Sequence, residues 1–358
     1  MRIIHVSDCF APSMGGIETQ VSHLAERQHM AGDGVTVLTC SPDVDNSDGQ
    51  RPYRVIRSVW PNPVGAPVDP RAPRRFLAMI EKLQPDVVHL HQGELTPVVQ
   101  ALMPRLAQKN IPSVVTVHSV WNPTTGIPLM KLFASAGKLP GPILFAGVSN
   151  LVRGRVAQVM GEDNVQVLPN GVDTGQWAVE PVSHEGLHVA VATRFAPRKR
   201  VPALLRMLQH AGSQAVIAGE GPGLPWARRY VAKHRLPISL PGRLSADQLR
   251  ALYAESDVFI APGHAEAASI AAAEAQAAGL AILSRSQSGL GERISSQEGA
   301  VAATDAEMAE ILRQWTEKPE LVVPIKKYNR EHRLALDWQE VLPQTYECYR
   351  RAQQRFLA

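Results

Sequence analysis

The chain has too little cysteine for a disulfide framework. Cys9, Cys40 and Cys348 are the three among 358 residues, and they form no Cys-x-x-Cys pair or Cys/His cluster. That usage argues for a reducing cytosol and against a structural zinc. Long apolar runs are also missing, so no segment is expected to span a bilayer. The opening stretch MRIIHVSDCF lacks the apolar core and cleavage site of a signal peptide and reads as a first buried strand. The expected location is cytoplasmic. No large excess of one charge is present: 37 Lys and Arg against 33 Asp and Glu leave +4. This suits an anionic substrate or membrane surface and is too weak to imply nucleic acid. What remains is 45% apolar and 20% charged, ordinary for a soluble globular protein, at a length that suits two domains.

Strand-like apolar runs alternate with helical patterns, the signature of parallel βαβ units. In the first half RIIHVSD, GVTVLTC, DVVHLH, SVVTVH, ILFAGV and VQVLP read as strands, with helices such as 18–30 and 74–83 between them. The alternation breaks at PNGVDTGQWAVEPVSHEG, which is Gly/Pro-rich and reads as a linker and hinge, then restarts with LHVAVAT, QAVIAGE, ISL, DVFIA and AILS. The expected organisation is an α/β chain of two doubly wound domains, residues 1–178 and 187–336, and a last helical stretch over 337–358. In such sheets ligands bind outside the carboxyl ends of the strands, and two sheets facing each other would enclose a cleft. The architecture suits a dehydrogenase, a binding protein, an epimerase or a glycosyl transferase. The strand-end loops must discriminate.

Gly15 and Gly16 follow the first strand and precede a helix, so their amides offer a place for a phosphate, although the loop does not match Gly-x-Gly-x-x-Gly. His118 stands at the carboxyl end of SVVTVH, where an imidazole can bind a hydroxyl or move a proton. ATRFAPRKR puts Arg194, Arg198, Lys199 and Arg200 in one strand-end loop, a strong anion site. AGEGPGLPW is interrupted by prolines, and no acid ends the next strand, so a nicotinamide site is excluded. Its Gly219 and Gly221 read as a tight turn that lets a ligand approach the backbone.

GHAEAASIAAAEAQAAG carries Glu266 in a strand-to-helix loop and Glu274 on the second turn of an alanine-rich helix. Ser269 is the expected N-cap, which leaves the amides of Ile270 and Ala271 to cradle a phosphate. Glu274 can accept two hydroxyl hydrogen bonds from a ribose, and Glu266 can do so for a sugar. With Arg194 and Lys199 these residues describe a nucleotide diphosphate-sugar held end to end.

Over nearly its whole length the chain resembles the retaining GT-B glycosyltransferases that share a Glu-x7-Glu motif, the glycosyl transferases group 1 family. MGGIE, VTVHS, LPNGVDTGQW, ATRFAPRK, GEGP, GHAEAASIAAAEAQAAG and DWQEV carry the resemblance in the family's order. It implies two Rossmann-like domains, the first for the acceptor and the second for the donor, with a C-terminal helix crossing back to the first. It also implies that Arg194 and Lys199 bind pyrophosphate, Glu274 the ribose and Glu266 the transferred sugar. His118 and Gly16 would approach from the other domain, and Arg243 and Leu244 in PGRLS would bracket the base. No metal or other cofactor is expected; the partners are a UDP- or GDP-linked sugar and a hydroxyl acceptor.

The chain departs from the family where Ser-Phe-Gly-Leu or Ile usually follows the first glutamate. Here stand Ala267, Ala268, Ser269 and Ile270, and Arg200 replaces a usual glycine after Lys199. Two rival readings are an epimerase of similar fold, for which no extra acid/base groups are identified, and a sugar-nucleotide-binding subunit without turnover. Arg71, Arg74, Arg75 and Lys82 surround a short amphipathic helix. An ordinary surface helix is the favoured reading over peripheral contact with an anionic membrane.

Overall fold

The structure, a computed structural model, describes all residues except 14, 62–66, 138, 140–142 and 358, and the side chains of all of these except 136, 137 and 357. Met14, the first residue of MGGIE, lies outside the described residues. The chain divides into two compact units, Met1–Gly171 with Trp338–Ala358, and Val172–Asp337.

The first unit is built on seven parallel strands: β1 (Arg2–Ser7), β2 (Gly34–Thr39), β3 (Arg54–Arg57), β4 (Val87–Gln92), β5 (Ser113–Val117), β6 (Ile143–Gly147) and β7 (Val165–Val167). They lie in the order β3-β2-β1-β4-β5-β6-β7, so the winding reverses between β1 and β4. Strands β4, β5 and β6 are buried along their whole length, as expected of central parallel strands covered on both faces. The terminal helix Trp338–Leu357 covers one face, where Cys348, Tyr349 and Ala352 pack on Ile3, Val87, Val114 and Leu144.

The second unit repeats the scheme with six strands: β8 (His188–Ala192), β9 (Gln214–Ala218), β10 (Ile238–Gly242), β11 (Val258–Ala261), β12 (Ala281–Arg285) and β13 (Gly299–Ala302). Their order is β10-β9-β8-β11-β12-β13, with the reversal between β8 and β11. The alanine-rich helix is Ile270–Ala277, and Ala272, Ala273 and Ala275 are buried in a cluster with Tyr253 and Phe259. Their small side chains let the helix lie close to the sheet.

The unit boundary falls at Gly171/Val172, seven residues before the expected end of the first domain at 178. The reason is local. Val172 donates to Leu336 O (2.8 Å), Thr174 N donates to Asp337 Oδ2 (3.3 Å), and Trp177 is buried among residues of the second unit. Val182 N bonds Ala254 O (2.8 Å), and the His184 ring stacks on His188 at 3.9 Å. The polar stretch read as a linker and hinge is therefore fastened to the second unit.

Candidate active site

The second unit gathers four sequence-predicted residues through two adjacent strand ends. Strands β8 and β11 are neighbours at the reversal, and the loops that follow them carry Lys199 and Glu266. The two side chains form an ion pair of 2.7 Å, and both are largely buried. They line a recess with Thr193, Pro262, Gly263 and Ser269. Arg194 leads the same β8 loop and is exposed.

Ser269 caps the alanine-rich helix as expected, accepting from Ala272 N at 3.4 Å. The amides of Ile270 and Ala271 complete no hydrogen bond among the described residues. On the second turn Glu274 has no hydrogen-bond or ion-pair partner among the described residues, and burial pushes its carboxyl up to about 7. A carboxylate held out of water without a partner is ready to accept hydroxyl hydrogen bonds.

Two of the family's usual glycine positions are filled by larger residues in glycine-like conformations. Arg200 has φ 54° and Ser269 has φ 53°, both in the left-handed region. Such a residue costs about 1–2 kcal/mol of local strain unless contacts offset it. Arg200 gains a contact, an ion pair with Asp305, which also holds Arg285 at 3.2 Å. Arg285 is buried and reaches the His264 ring at 3.2 Å. This Arg200–Asp305–Arg285–His264 group escaped the sequence reading because its members come from four separate places in the chain: two loops, the end of β12 and the start of a helix at Asp305.

The glycine turn also brings backbone close to backbone. A Cβ on Gly219 would fall on the Thr193 carbonyl, and one on Gly221 would sit 2.7 Å from Phe195 O. Both have left-handed φ, 134° and 144°. Phe195 N donates to Glu220 O at 2.8 Å. The close approach these glycines allow is of backbone to backbone, and it sets the path of the loop that carries Arg194. Arg243 and Leu244 follow β10, ahead of a helix capped by the reciprocal Ser245/Gln248 box.

In the first unit Gly15 is the N-cap of the helix Gly16–Met30, and the Glu18 carboxylate lies over it. His118 directly follows β5. It stands at one end of a buried chain that the sequence reading missed. His118 Nε2 meets His91 Nδ1 (3.1 Å), His91 Nε2 meets His5 Nδ1 (3.0 Å), and His5 Nε2 meets Gln28 Oε1 (2.7 Å). Gln28 Nε2 donates to Tyr349 OH (2.9 Å), which meets His89 Nδ1 (2.8 Å), and His89 Nε2 meets Thr116 Oγ1 (2.7 Å). Burial lowers His5 and His118 to about 4 and holds His89 and His91 well below the usual range. All four imidazoles are neutral at pH 7. The available signal was HLH on a central strand: residues two apart share a face, and register puts His5 beside His89.

Residues 14–176 match Glycosyltransferase Family 4, and residues 178–332 match Glycosyl transferases group 1. The chain belongs to the group 1 glycosyltransferases. This glycosyltransferase is 25% identical to a GDP-mannose-dependent alpha-mannosyltransferase of Mycolicibacterium smegmatis, over 74% of each chain. It is 28% identical to a GDP-mannose:cellobiosyl-diphosphopolyprenol alpha-mannosyltransferase of Xanthomonas oryzae, over 76% of this chain and 75% of that one. Among solved structures it is similar to sucrose-phosphate synthase from Thermosynechococcus elongatus (TM-score 0.80, 18% identity, 98% of both chains). An Anabaena protein solved with UDP and glucose gives a TM-score of 0.78 at 16% identity, covering 97% of this chain and 98% of that one. These likenesses bear out the two-domain GT-B fold expected from the sequence.

No helix among the described residues of this glycosyltransferase is long and apolar enough to cross a membrane. The basic helix, Ala72–Leu83, is an amphipathic surface element: Phe76 and Ile80 are buried, while Arg74 and Lys82 are exposed. Buried Asp69 pairs with Arg71 (2.9 Å) and Arg75 (3.6 Å), which offsets part of the patch.

Proposed function

We propose that this glycosyltransferase moves a sugar from a nucleotide diphosphate-sugar to a hydroxyl acceptor with retention of configuration and without a metal ion. One observation carries the reading: Lys199 and Glu266 meet in a strand-end recess bordered by Ser269, whose helix presents the unpartnered Glu274. In this reading Lys199 and Arg194 bind the pyrophosphate, helped by the amides of Ile270 and Ala271. Glu274 takes the ribose hydroxyls and Glu266 the transferred sugar. Gly221, Arg243 and Leu244 border the nucleotide, and His118, Gly15 and Gly16 contribute from the first unit. The bond from the anomeric carbon to phosphate breaks, and the acceptor oxygen bonds the same face. Its proton passes to the departing phosphate oxygen, whose growing charge Arg194 and Lys199 stabilise.

The names of the two relatives make GDP-mannose the first donor to test, with UDP-sugars second. Purified protein is expected to release nucleoside diphosphate from one of these donors in the presence of a hydroxyl acceptor. NMR of the product should show the donor's anomeric configuration, and activity should survive a chelator of divalent ions. Lys199→Ala is expected to lower kcat about 10²–10³-fold, as removal of a charge-stabilising contact does, without a shift in melting temperature. Inversion at the anomeric carbon, or activity lost to chelation and restored by magnesium, would overturn the mechanism.

A further inference from the structure

In the transfer reading the Lys199–Glu266 bond is temporary. At rest the two side chains meet at 2.7 Å. When the donor arrives, Lys199 turns to the pyrophosphate and Glu266 to the sugar, so each gives up the other. The two loops then need a further connection, or the spacing between their reacting groups drifts. They also touch at Gly263, where a Cβ would lie 3.9 Å from Arg198 O. That is ordinary van der Waals contact and fixes no direction.

A directional connection stands one residue past Lys199 and two before Glu266. Arg200 pairs with Asp305, Asp305 Oδ1 accepts from Arg285 Nη1 at 3.2 Å, and Arg285 Nη2 lies 3.2 and 3.3 Å from the two nitrogens of His264. Burial, and then the charges of Arg200 and Arg285, lower His264 from its ordinary value, so the ring is neutral at pH 7 and tolerates the guanidinium beside it. Asp305 itself is well anchored. It opens the helix Asp305–Glu317, capped by Thr304, whose Met308 and Leu312 are buried in one cluster with Leu204 and Leu205. An acid in the first turn suits that end of a helix. Arg285 is almost wholly buried, so its charge depends on Asp305 for balance. Arg200 has a left-handed φ of 54°, which an arginine keeps only where its surroundings hold it.

We propose that Asp305 is a positioning residue: through Arg200 on one side and Arg285 and His264 on the other, it holds the Lys199 and Glu266 loops at one spacing when those two side chains part to take the donor. The parting rests on the transfer reading above; the tie between the loops does not. In the unliganded protein the Lys199–Glu266 pair and the Asp305 tie are parallel connections, and cutting either one leaves the other.

The test has two arms. In the unliganded full chain, hydrogen exchange, corrected for intrinsic rates, is followed at the amides of Lys199 and Arg200, which bond Ala196 O and Pro197 O, and of Gly289, which bonds Glu266 O. Glu266→Ala and Asp305→Asn are each expected to speed exchange there less than about threefold, and the two together more than about thirtyfold. Exchange in 258–261 should not change. A double variant that only multiplies the two single effects would mean independent connections and overturns the tie. Arg200→Asn repeats the test without leaving Arg285 unpaired, because asparagine tolerates the left-handed region and is too short to reach Asp305.

The second arm is kinetic. Asp305→Asn and Arg200→Asn should each lower kcat about ten- to a hundredfold with donor KM little changed, the loss expected when reacting groups are displaced by about 1 Å. Both substitutions cut one tie, so together they should lower kcat no further than Asp305→Asn alone. Unchanged kcat in Arg200→Asn, or losses that multiply, overturns the positioning role. Exchange needs no donor, so a failure of sugar transfer leaves the tie to be decided by the first arm alone.

Discussion

Glu274 shows what one side chain's surroundings do to its chemistry. It has no cationic partner among the described residues, and burial pushes its carboxyl up to about 7. The charged form is therefore the costly one, and any stability gained from the neutral acid is present below the unfolded pKa and lost as pH rises through about 7. Ligand binding should run the other way, because ribose hydroxyls donate to the carboxylate. Affinity for GDP or UDP is expected to rise as pH increases from 5.5 to 8, and Glu274→Gln should flatten the profile and weaken binding. Titration calorimetry across that range checks this, and a wild-type profile as flat as the variant's would remove Glu274 from the ribose role. Nothing in the letters AAAEAQ announces the shift. It comes from the packing of that helix against Tyr253 and the sheet.

At the scale of elements, the sequence was most legible where strands are central and apolar. VVHL, SVVTV and HVAVA stood out; of the four edge strands, β7 and β10 were read and β3 and β13 were not. Arg54–Arg57 is RVIR and Gly299–Ala302 is GAVA; an edge strand covered less by neighbours needs no long apolar run. The Lys199–Glu266 pair could be anticipated from two strand ends, whereas the imidazole chain joins side chains from three strands and two helices. Spacing along a chain does not report such a meeting. The same limit applies to Gly171, which looks like a turn residue in PNGVD. A Cβ there would lie 2.5 Å from the Trp338 ring, so this glycine exists to let the terminal helix start against the first unit. Gly171→Ala is expected to destabilise by about 1–3 kcal/mol through overpacking. A chemical-denaturation midpoint unchanged by the substitution would show that the Trp338 contact is not tight.

For the whole molecule, the buried titratable groups predict that acid loosens one unit before the other. His5 and His118 have folded values of about 4 against about 6.5 unfolded, and His89 and His91 are lowered as well. A base with a lowered folded pKa gives stability that is present above the unfolded value and lost as pH falls toward the folded one. Fully buried His5 alone is worth on the order of 3 kcal/mol across that window. Asp8, also in the first unit and raised to about 6, acts in the opposite sense, but it is one group against four. In the second unit the raised Glu274 favours acid. Hydrogen exchange at pH 5 against pH 7, corrected for intrinsic rates, should show protection lost in 87–92 and kept in 258–261. Parallel loss in both segments would mean that the buried imidazoles do not govern acid stability.

The terminal helix also sets an order of events during synthesis. The second unit is one uninterrupted stretch, Val172–Asp337, and all of its strands leave the ribosome before Trp338 does. The first unit begins earlier and finishes later. Until Tyr349 arrives, Nε2 of Gln28 and Nδ1 of His89 lack the partner they have in the folded chain, and the sheet face over Ile3, Val87 and Val114 is bare. The half of the chain that is translated first is thus the last to close, and an exposed apolar sheet must wait through the making of nearly half the protein. A nascent chain in that state is a natural client for a chaperone that shields apolar surface.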